Sequence, residues 1–274
     1  MSRLIRVRRR MRRLAGPMLC MGTPALLLCM AWWPCAAAAA EPTLEEALAE
    51  GDRAYAAAKL EDARRAYAGA LQGSPGQVTA LCRLSRVESE LGETQKGDVQ
   101  RHTWSDAVSH ARDAVRAAPE SAEPHLCLAI ALGRQALREG PRTRLALSKE
   151  IKSETDLALQ HDPSLGRAWH VLAMWNFKIA GLNGFERMMA NSVLGGVPKG
   201  ASFANADQAF QKAIALEPDY VNHHLEYGRF LKDQGHRDEA RRELEKAIAL
   251  PPTSSALDAR YQADARALLG KLGH

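Results

Sequence analysis

The sequence predicts an all-α protein, a solenoid of about five helix pairs with one further helix at its C-terminal end. Two observations support this prediction. A phrase of small and bulky apolar residues at helical spacing recurs along the chain, and each copy ends in a proline. The alternation of apolar and polar residues that marks β-strands is absent, and aromatic residues make up only 5% of the chain.

The recurring phrase is an alanine, a bulky or apolar residue four positions later, an alanine three positions after that, and then a proline. Steps of four and three place the first three residues on one face of a helix, where small side chains let a second helix approach closely. The proline ends the helix. The four copies and one degenerate copy, the third in chain order, are Ala63, Tyr67, Ala70, Pro75; Ala107, Ala111, Ala114, Pro119; Ile151, Thr155, Ala158, Pro163; Ala206, Phe210, Ala213, Pro218; and Ala240, Leu244, Ala247, Pro252.

A second helical segment precedes each copy of the phrase. Gly51 lies twelve residues before Ala63, and Gly228 lies twelve residues before Ala240. Gly235 marks the turn between the two helices of the last pair. This helix-turn-helix unit resembles the tetratricopeptide repeat (TPR), a 34-residue unit with the pattern W-x2-L-G, A-x3-F and P, and the resemblance implies a right-handed superhelical solenoid.

The spacing of the terminal prolines locates three insertions. Pro218 and Pro252 are 34 residues apart, whereas the other separations are 44, 44 and 55 residues. The three middle repeats therefore carry 10, 10 and 21 extra residues, near positions 92–103, 138–148 and 181–202. A solenoid tolerates such insertions, as loops or as longer helices, because the contacts between repeats are kept.

The segment after the last repeat is predicted to be a capping helix, since a terminal repeat otherwise exposes an apolar face. Its apolar residues at helical spacing are Leu257, Tyr261, Ala265, Leu268 and Leu269. Residues 41–274 are thus expected to form one TPR-like domain, large enough to bury a continuous core.

The net charge of +5 comes from the N-terminal segment. Seven arginines lie within the first thirteen residues, and the first acidic residue is Glu41. Residues 41–274 have 30 basic and 32 acidic residues, a net charge of −2. The composition therefore gives no reason to expect a nucleic-acid partner.

Residues 1–40 have the order of an export signal: an arginine-rich start, an uncharged stretch from Leu14 to Ala40, and small residues that offer an A-x-A cleavage site before Glu41. We expect cleavage there and a periplasmic or secreted protein. The alternative is a retained membrane anchor, because a tilted helix from Leu14 to Trp33 is long enough to span a bilayer. The membrane would then be contacted through this segment alone.

Few residue patterns suggest chemistry. Cys82 and Cys127 are expected to be small buried side chains, although they could pair in an oxidising compartment. The sequence GGVPKGAS, residues 195–202, has the glycine spacing of a phosphate-binding loop but carries Ala201 in place of the lysine. His223 and His224 lack the spacing of a helical zinc site and are interpreted as solvated surface side chains. No catalytic motif is present, so we expect no enzyme activity, cofactor or metal.

A narrower resemblance covers about half the chain, from Cys127 to Pro251. The segment Arg144 to Leu182, the loop ending in GVPKGASFANADQAFQKAIALEPDY, and the following LEYGRFLKDQGHRDEARRELEKAIALP are similar to the regulator of microtubule dynamics proteins. The resemblance implies a monomeric helical solenoid that binds other proteins, with microtubule association in animal members.

The first helices of the pairs are expected to line a concave groove. The groove residues predicted from the aligned repeats, opposite the expected buried side of Trp169, Leu172 and Asn176, are Tyr55, Arg86, Arg134, Arg167, His170, Met174, Phe177, Lys178, Arg229 and Lys232. Such a surface suits an acidic or carboxyl-terminal peptide with an apolar anchor, although the same charges also occur on ordinary solvated surfaces. A second candidate is the apolar stripe Phe185, Met188, Met189 and Val193.

Together these features predict a non-enzymatic adaptor, exported and monomeric, that binds a protein or peptide in its groove. The alternative is a membrane-anchored tether of the microtubule-regulator type.

Overall fold

A computed structural model describes residues 43–193, 196–252 and 255–272. Within those residues the protein is all α-helical, as predicted, and five helix pairs follow one another as a right-handed TPR-like solenoid. The predicted leader, residues 1–40, lies outside the described residues. The pairs are α1 (Leu44–Ala56) with α2 (Leu60–Gly73), α3 (Val78–Thr94) with α4 (Gly97–Ala117), α5 (Ala122–Ala136) with α6 (Pro141–His161), α7 (Gly166–Ala180) with α9 (Phe203–Leu216), and α10 (Val221–Asp233) with α11 (Arg237–Ala249); α8 (Gly184–Val193) and α12 (Asp258–Leu272) complete the set.

The recurring phrase forms the contact surface between paired helices. All fifteen of its non-proline residues are buried, including those of the degenerate copy. Each second helix ends two or three residues before its proline. Proline cannot donate the backbone hydrogen bond of a continuing helix, and it disfavours helical geometry in the residue before it. The phrase therefore sets both the buried face and the end of each helix.

The glycines of the first and last repeats lie at close contacts between the paired helices. A Cβ atom on Gly51 would lie 2.2 Å from Cε1 of Tyr67, and one on Gly228 would lie 2.8 Å from Cγ of Leu244. Tyr67 and Leu244 are the bulky residues of their phrases. The twelve-residue spacing thus places a residue without a side chain opposite the bulky residue of the phrase on the partner helix.

The three insertions take different forms. The first lengthens both helices of its pair, so that α3 has 17 residues and α4 has 21, against 13 and 14 for α1 and α2. The second mainly lengthens α6, which also has 21 residues. The third forms α8 and a turn in which Gly196 and Gly200 adopt positive φ values of 89° and 86°.

The helix α12 caps the last repeat, as predicted. Leu257, immediately before the helix, and Tyr261 and Ala265 within it are buried, while Leu268 and Leu269 are partly buried against the same core. The Gln262 side chain donates a hydrogen bond of 2.6 Å to the carbonyl oxygen of Leu250, which ties the cap to the end of α11.

Cys82 and Cys127 are buried free thiols, which agrees with the expectation that they are small buried side chains. The Cys127 Sγ lies 3.8 Å from the Cys82 carbonyl oxygen. Among the described helices, none combines the length and apolar character needed to cross a bilayer.

Candidate partner-binding surface

The first helices α1, α3, α5, α7 and α10 form one side of the solenoid, here called the inner face. Near α1 and α3, Tyr55 donates a 2.7 Å hydrogen bond to a carboxylate oxygen of Glu90. The Arg86 guanidinium lies 4.5 Å from the centre of the Tyr55 ring and 3.4 Å from the same carboxylate. Burial raises the pKa of Tyr55, and the adjacent negative charge of Glu90 raises it further. These three side chains form a polar cluster.

The centre of the inner face is covered by α12. Arg134 pairs with the Glu93 carboxylate at 2.7 Å, and the Tyr261 hydroxyl lies 3.2 Å from that carboxylate. Arg260 donates a 2.6 Å hydrogen bond to the Glu93 carbonyl oxygen. The capping helix therefore reaches back to the second repeat, which sequence reasoning did not predict. Burial raises the pKa of the neighbouring Tyr220 to about 12.

Repeats four and five meet at a histidine pair. The Nδ1 atoms of His170 and His223 are 3.0 Å apart and the two rings stack, with centroids 4.9 Å apart. Glu217 lies 3.4 Å from His223 Nε2 and 3.8 Å from Arg167, which also approaches Glu123. Burial lowers the pKa of both histidines.

The interpretation of His223 and His224 as solvated surface side chains is wrong. Both are buried, with exposures of 0% and 3%. His224 Nδ1 lies 2.7 Å from Glu243 and its Nε2 lies 2.8 Å from the Pro218 carbonyl oxygen. These partners compensate for the loss of water around the ring. Among the described residues, no group of three histidine, cysteine or acidic side chains is arranged to hold a metal ion.

The remaining predicted groove residues lie near the C-terminal repeats. Arg229 pairs with Glu226 at 2.7 Å and with Asp264 of α12 at 3.3 Å, and Lys232 pairs with Asp233. Phe177 packs edge-to-face on Phe230 with ring centroids 5.3 Å apart. Met174 packs beside this core, and Lys178 is exposed.

The charged residues among the ten differ in whether they pair with carboxylates of the chain itself. Arg86, Arg134, Arg167 and Arg229 lie beside carboxylates of the chain itself, whereas Lys178 makes no ion pair within the described residues. Sequence reasoning missed those carboxylates, although the spacing of Arg86 with Glu90 and of Glu226 with Arg229 is that of helical ion pairs. Whether the ten residues bind a partner stays a prediction.

The side of α7 opposite the groove was expected to be buried, but it is only partly buried. Asn176 is buried, but Trp169 and Leu172 are half-buried and line an open cavity. In the second candidate surface, Phe185 and Met188 are 67% and 54% exposed. The side chains of Met189 and Val193 lie outside the described part of the structure.

Comparison with known proteins places this architecture in a family. The family model for regulator of microtubule dynamics protein 1-3 matches residues 47–273. Regulator of microtubule dynamics protein 3 of Rattus norvegicus is 27% identical over 195 residues, which cover 70% of this chain and 41% of the relative. The chain thus spans about two fifths of the length of that relative.

One further match concerns the sequence and another the fold. Regulator of microtubule dynamics protein 1 of Caenorhabditis elegans is 27% identical over 198 residues, covering 72% of this chain and 87% of the relative. The crystal structure of a thermophilic TPR protein from Thermus thermophilus matches with a TM-score of 0.59 and 19% identity, covering 81% of this chain and 98% of that one. The likeness to the Thermus thermophilus structure concerns the fold alone. Since the family model matches most of its length, the chain belongs to the regulator of microtubule dynamics family.

Proposed function

We propose that this protein is a non-enzymatic scaffold that holds a partner protein or peptide on its inner face. The observation that carries the proposal is the TPR-like stack of five helix pairs, a fold suited to protein–protein interaction because its first helices line one face, part of which α12 leaves open. The absence of a catalytic motif in the sequence supports a binding role.

The part of the inner face left open by α12 suits an acidic or carboxyl-terminal segment. Lys178 is exposed, and the Arg229 side chain is 40% exposed even with its two carboxylate partners. A partner carboxylate can pair with the lysine and compete with Glu226 and Asp264 for the arginine. The nearby Phe177 and Met174 offer apolar contact for an anchor residue.

Affinity purification from envelope fractions tests this role. The double variant Lys178→Ala with Arg229→Ala should recover several-fold less of a partner than the native chain. Arg241→Ala with Arg242→Ala is the matched control, because both arginines are exposed on α11, away from the inner face. Equal recovery by all three proteins would remove support for the groove.

We further propose that residues 1–40 direct export and are removed, which leaves Glu41 as the mature N-terminus. The support is the order of arginines, uncharged residues and small residues in this segment. Sequencing the N-terminus of the native protein checks the proposal. An intact chain beginning at Met1 and found in the membrane would contradict it.

The second candidate function is a membrane-anchored tether that contacts microtubules. Family membership favours this candidate, together with an uncharged segment long enough for an anchor. Cosedimentation of residues 41–274 with polymerised tubulin supports the tether if the protein pellets with the polymer. A chain that stays in the supernatant would argue against it.

A further inference from the structure

A cavity of about 500 Å³ opens between α6, α7 and α9, apart from the inner face. Its size is within the range of ordinary ligand pockets. Lys152, Lys199 and Lys212 line it, together with Trp169, Leu172 and Trp175. The third insertion completes the cavity, because the turn at Lys199 and Gly200 forms part of its wall.

The apolar lining is held in place by backbone hydrogen bonds. The indole N–H of Trp169 donates to the Pro163 carbonyl oxygen at 2.9 Å, and that of Trp175 donates to the Ser148 carbonyl oxygen at 2.8 Å. Asn205 donates to the Gly200 carbonyl oxygen at 2.8 Å and so fixes the turn of the insertion. Rings fixed before binding lose little conformational entropy when a ligand packs on them.

The charge around the cavity is positive. No acidic residue is among the side chains that line it. Lys199 and Lys212 are exposed and make no ion pair within the part of the chain that the structure describes. Lys152 pairs with Asp156 and lies 5.5 Å from the centre of the Trp175 ring. At least two cations are thus available to an incoming anion, whereas the arginines of the inner face already have carboxylate partners.

We propose that this cavity binds an acidic peptide segment, which inserts a bulky apolar side chain between Trp169 and Leu172 and places carboxylates beside Lys199 and Lys212. Charge complementarity selects the acidic flanks, and the volume accommodates an anchor side chain. The amides of Asn205 and Gln208 also line the cavity and can hydrogen-bond a peptide backbone. The inference rests on the proposed function as a partner-binding scaffold. It adds a second partner-binding surface, apart from the inner face.

Fluorescence anisotropy with a labelled heptapeptide, a phenylalanine flanked on each side by three glutamates, tests the inference on residues 41–274. Lys199→Glu with Lys212→Glu should raise the Kd about tenfold or more at low salt. Arg241→Glu with Arg242→Glu changes the net charge equally and should leave the Kd unchanged. Peptides with glutamine for glutamate, or glycine for phenylalanine, should bind more weakly to the native protein.

Several outcomes would overturn the inference. The two charge-reversal variants could weaken binding equally, which would indicate unspecific attraction. The glycine peptide could bind as well as the phenylalanine peptide, or millimolar phosphate could displace the peptide, and either result would indicate a simple anion site. The groove variant Lys178→Ala with Arg229→Ala separates the two surfaces: if only that variant loses the peptide, the cavity is excluded and the scaffold role stands.

Discussion

Gly51 shows how a single residue limits the packing of a helix pair. Tyr67 opposite it is buried, and its hydroxyl donates a 2.7 Å hydrogen bond to Asp52, so the ring cannot move away easily. We predict that Gly51→Ala lowers the free energy of unfolding by about 1–3 kcal/mol through overpacking. Urea denaturation followed by circular dichroism measures the change.

Gly69 provides the matched control within the same helix pair. A Cβ atom there would have no neighbour within 4 Å. Because alanine favours the helix by up to about 1 kcal/mol over glycine, Gly69→Ala should stabilise the protein. A destabilisation of similar size in both variants would show that helix contact is not the cause.

The histidine pair should make stability depend on pH. The pKa values of His170 and His223 are lowered mainly by burial, so the folded protein favours their neutral forms. The groups that act on the pair electrostatically are Arg134, Arg167, Glu217 and His224. The unfolded chain takes up protons near pH 6.5, so the stabilisation is complete above that pH and is lost as the pH falls below it.

Between pH 7 and pH 5 we expect the free energy of unfolding to fall by up to about 1.4 kcal/mol per pH unit for each histidine. His170→Leu should make this slope shallower, since one of the two groups is removed. The comparison is needed because His110, whose pKa is raised by its hydrogen bond with Glu88, contributes with the opposite sign. Identical slopes in the two proteins would exclude the pair as the source.

At the scale of elements, three of the four joints between repeats share one hydrogen bond, whereas the first joint has Leu81 at the corresponding position. A ring nitrogen six residues after a terminal proline lies within hydrogen-bonding distance of that proline's carbonyl oxygen: His125 at 2.7 Å, Trp169 at 2.9 Å and His224 at 2.8 Å. The six-residue spacing is visible in the sequence, but it does not predict a hydrogen bond unless the geometry of the joint is known. The geometry of this joint accounts for the burial of His224.

The contact of α12 with the inner face depends on few side chains. Arg260 is exposed, yet it reaches the Glu93 carbonyl oxygen. We predict that Arg260→Ala speeds amide hydrogen exchange in α12 while global stability changes by less than about 1 kcal/mol. Hydrogen exchange with mass spectrometry measures both effects by region.

Lys271→Ala on the same helix is the control, because that side chain is exposed and makes no ion pair with the described residues of the inner face. Unchanged exchange in α12 of Arg260→Ala would mean that the other contacts of the helix, including those of the buried Tyr261, hold it in place without Arg260.

For the whole molecule, the cap determines the expected oligomeric state. Because α12 covers the apolar end of the last repeat, we predict that residues 41–274 sediment as a monomer at micromolar concentration. Phe185 and Met188 form the exposed apolar stripe where self-association would begin. A dimer that dissociates in Phe185→Ser would contradict the prediction and identify the contact.

Helical spacing together with proline and glycine chemistry within some 34 residues was enough to predict the five helix pairs, the buried faces of their second helices and the points where those second helices end. The folded structure was needed to show which carboxylates pair with the inner-face arginines, where α12 lies, and how the third insertion completes a cavity. Arg260 and Glu93 are separated by 167 positions. Their distance depends on the accumulated rotation of the stacked repeats, and no local pattern in the sequence encodes that rotation.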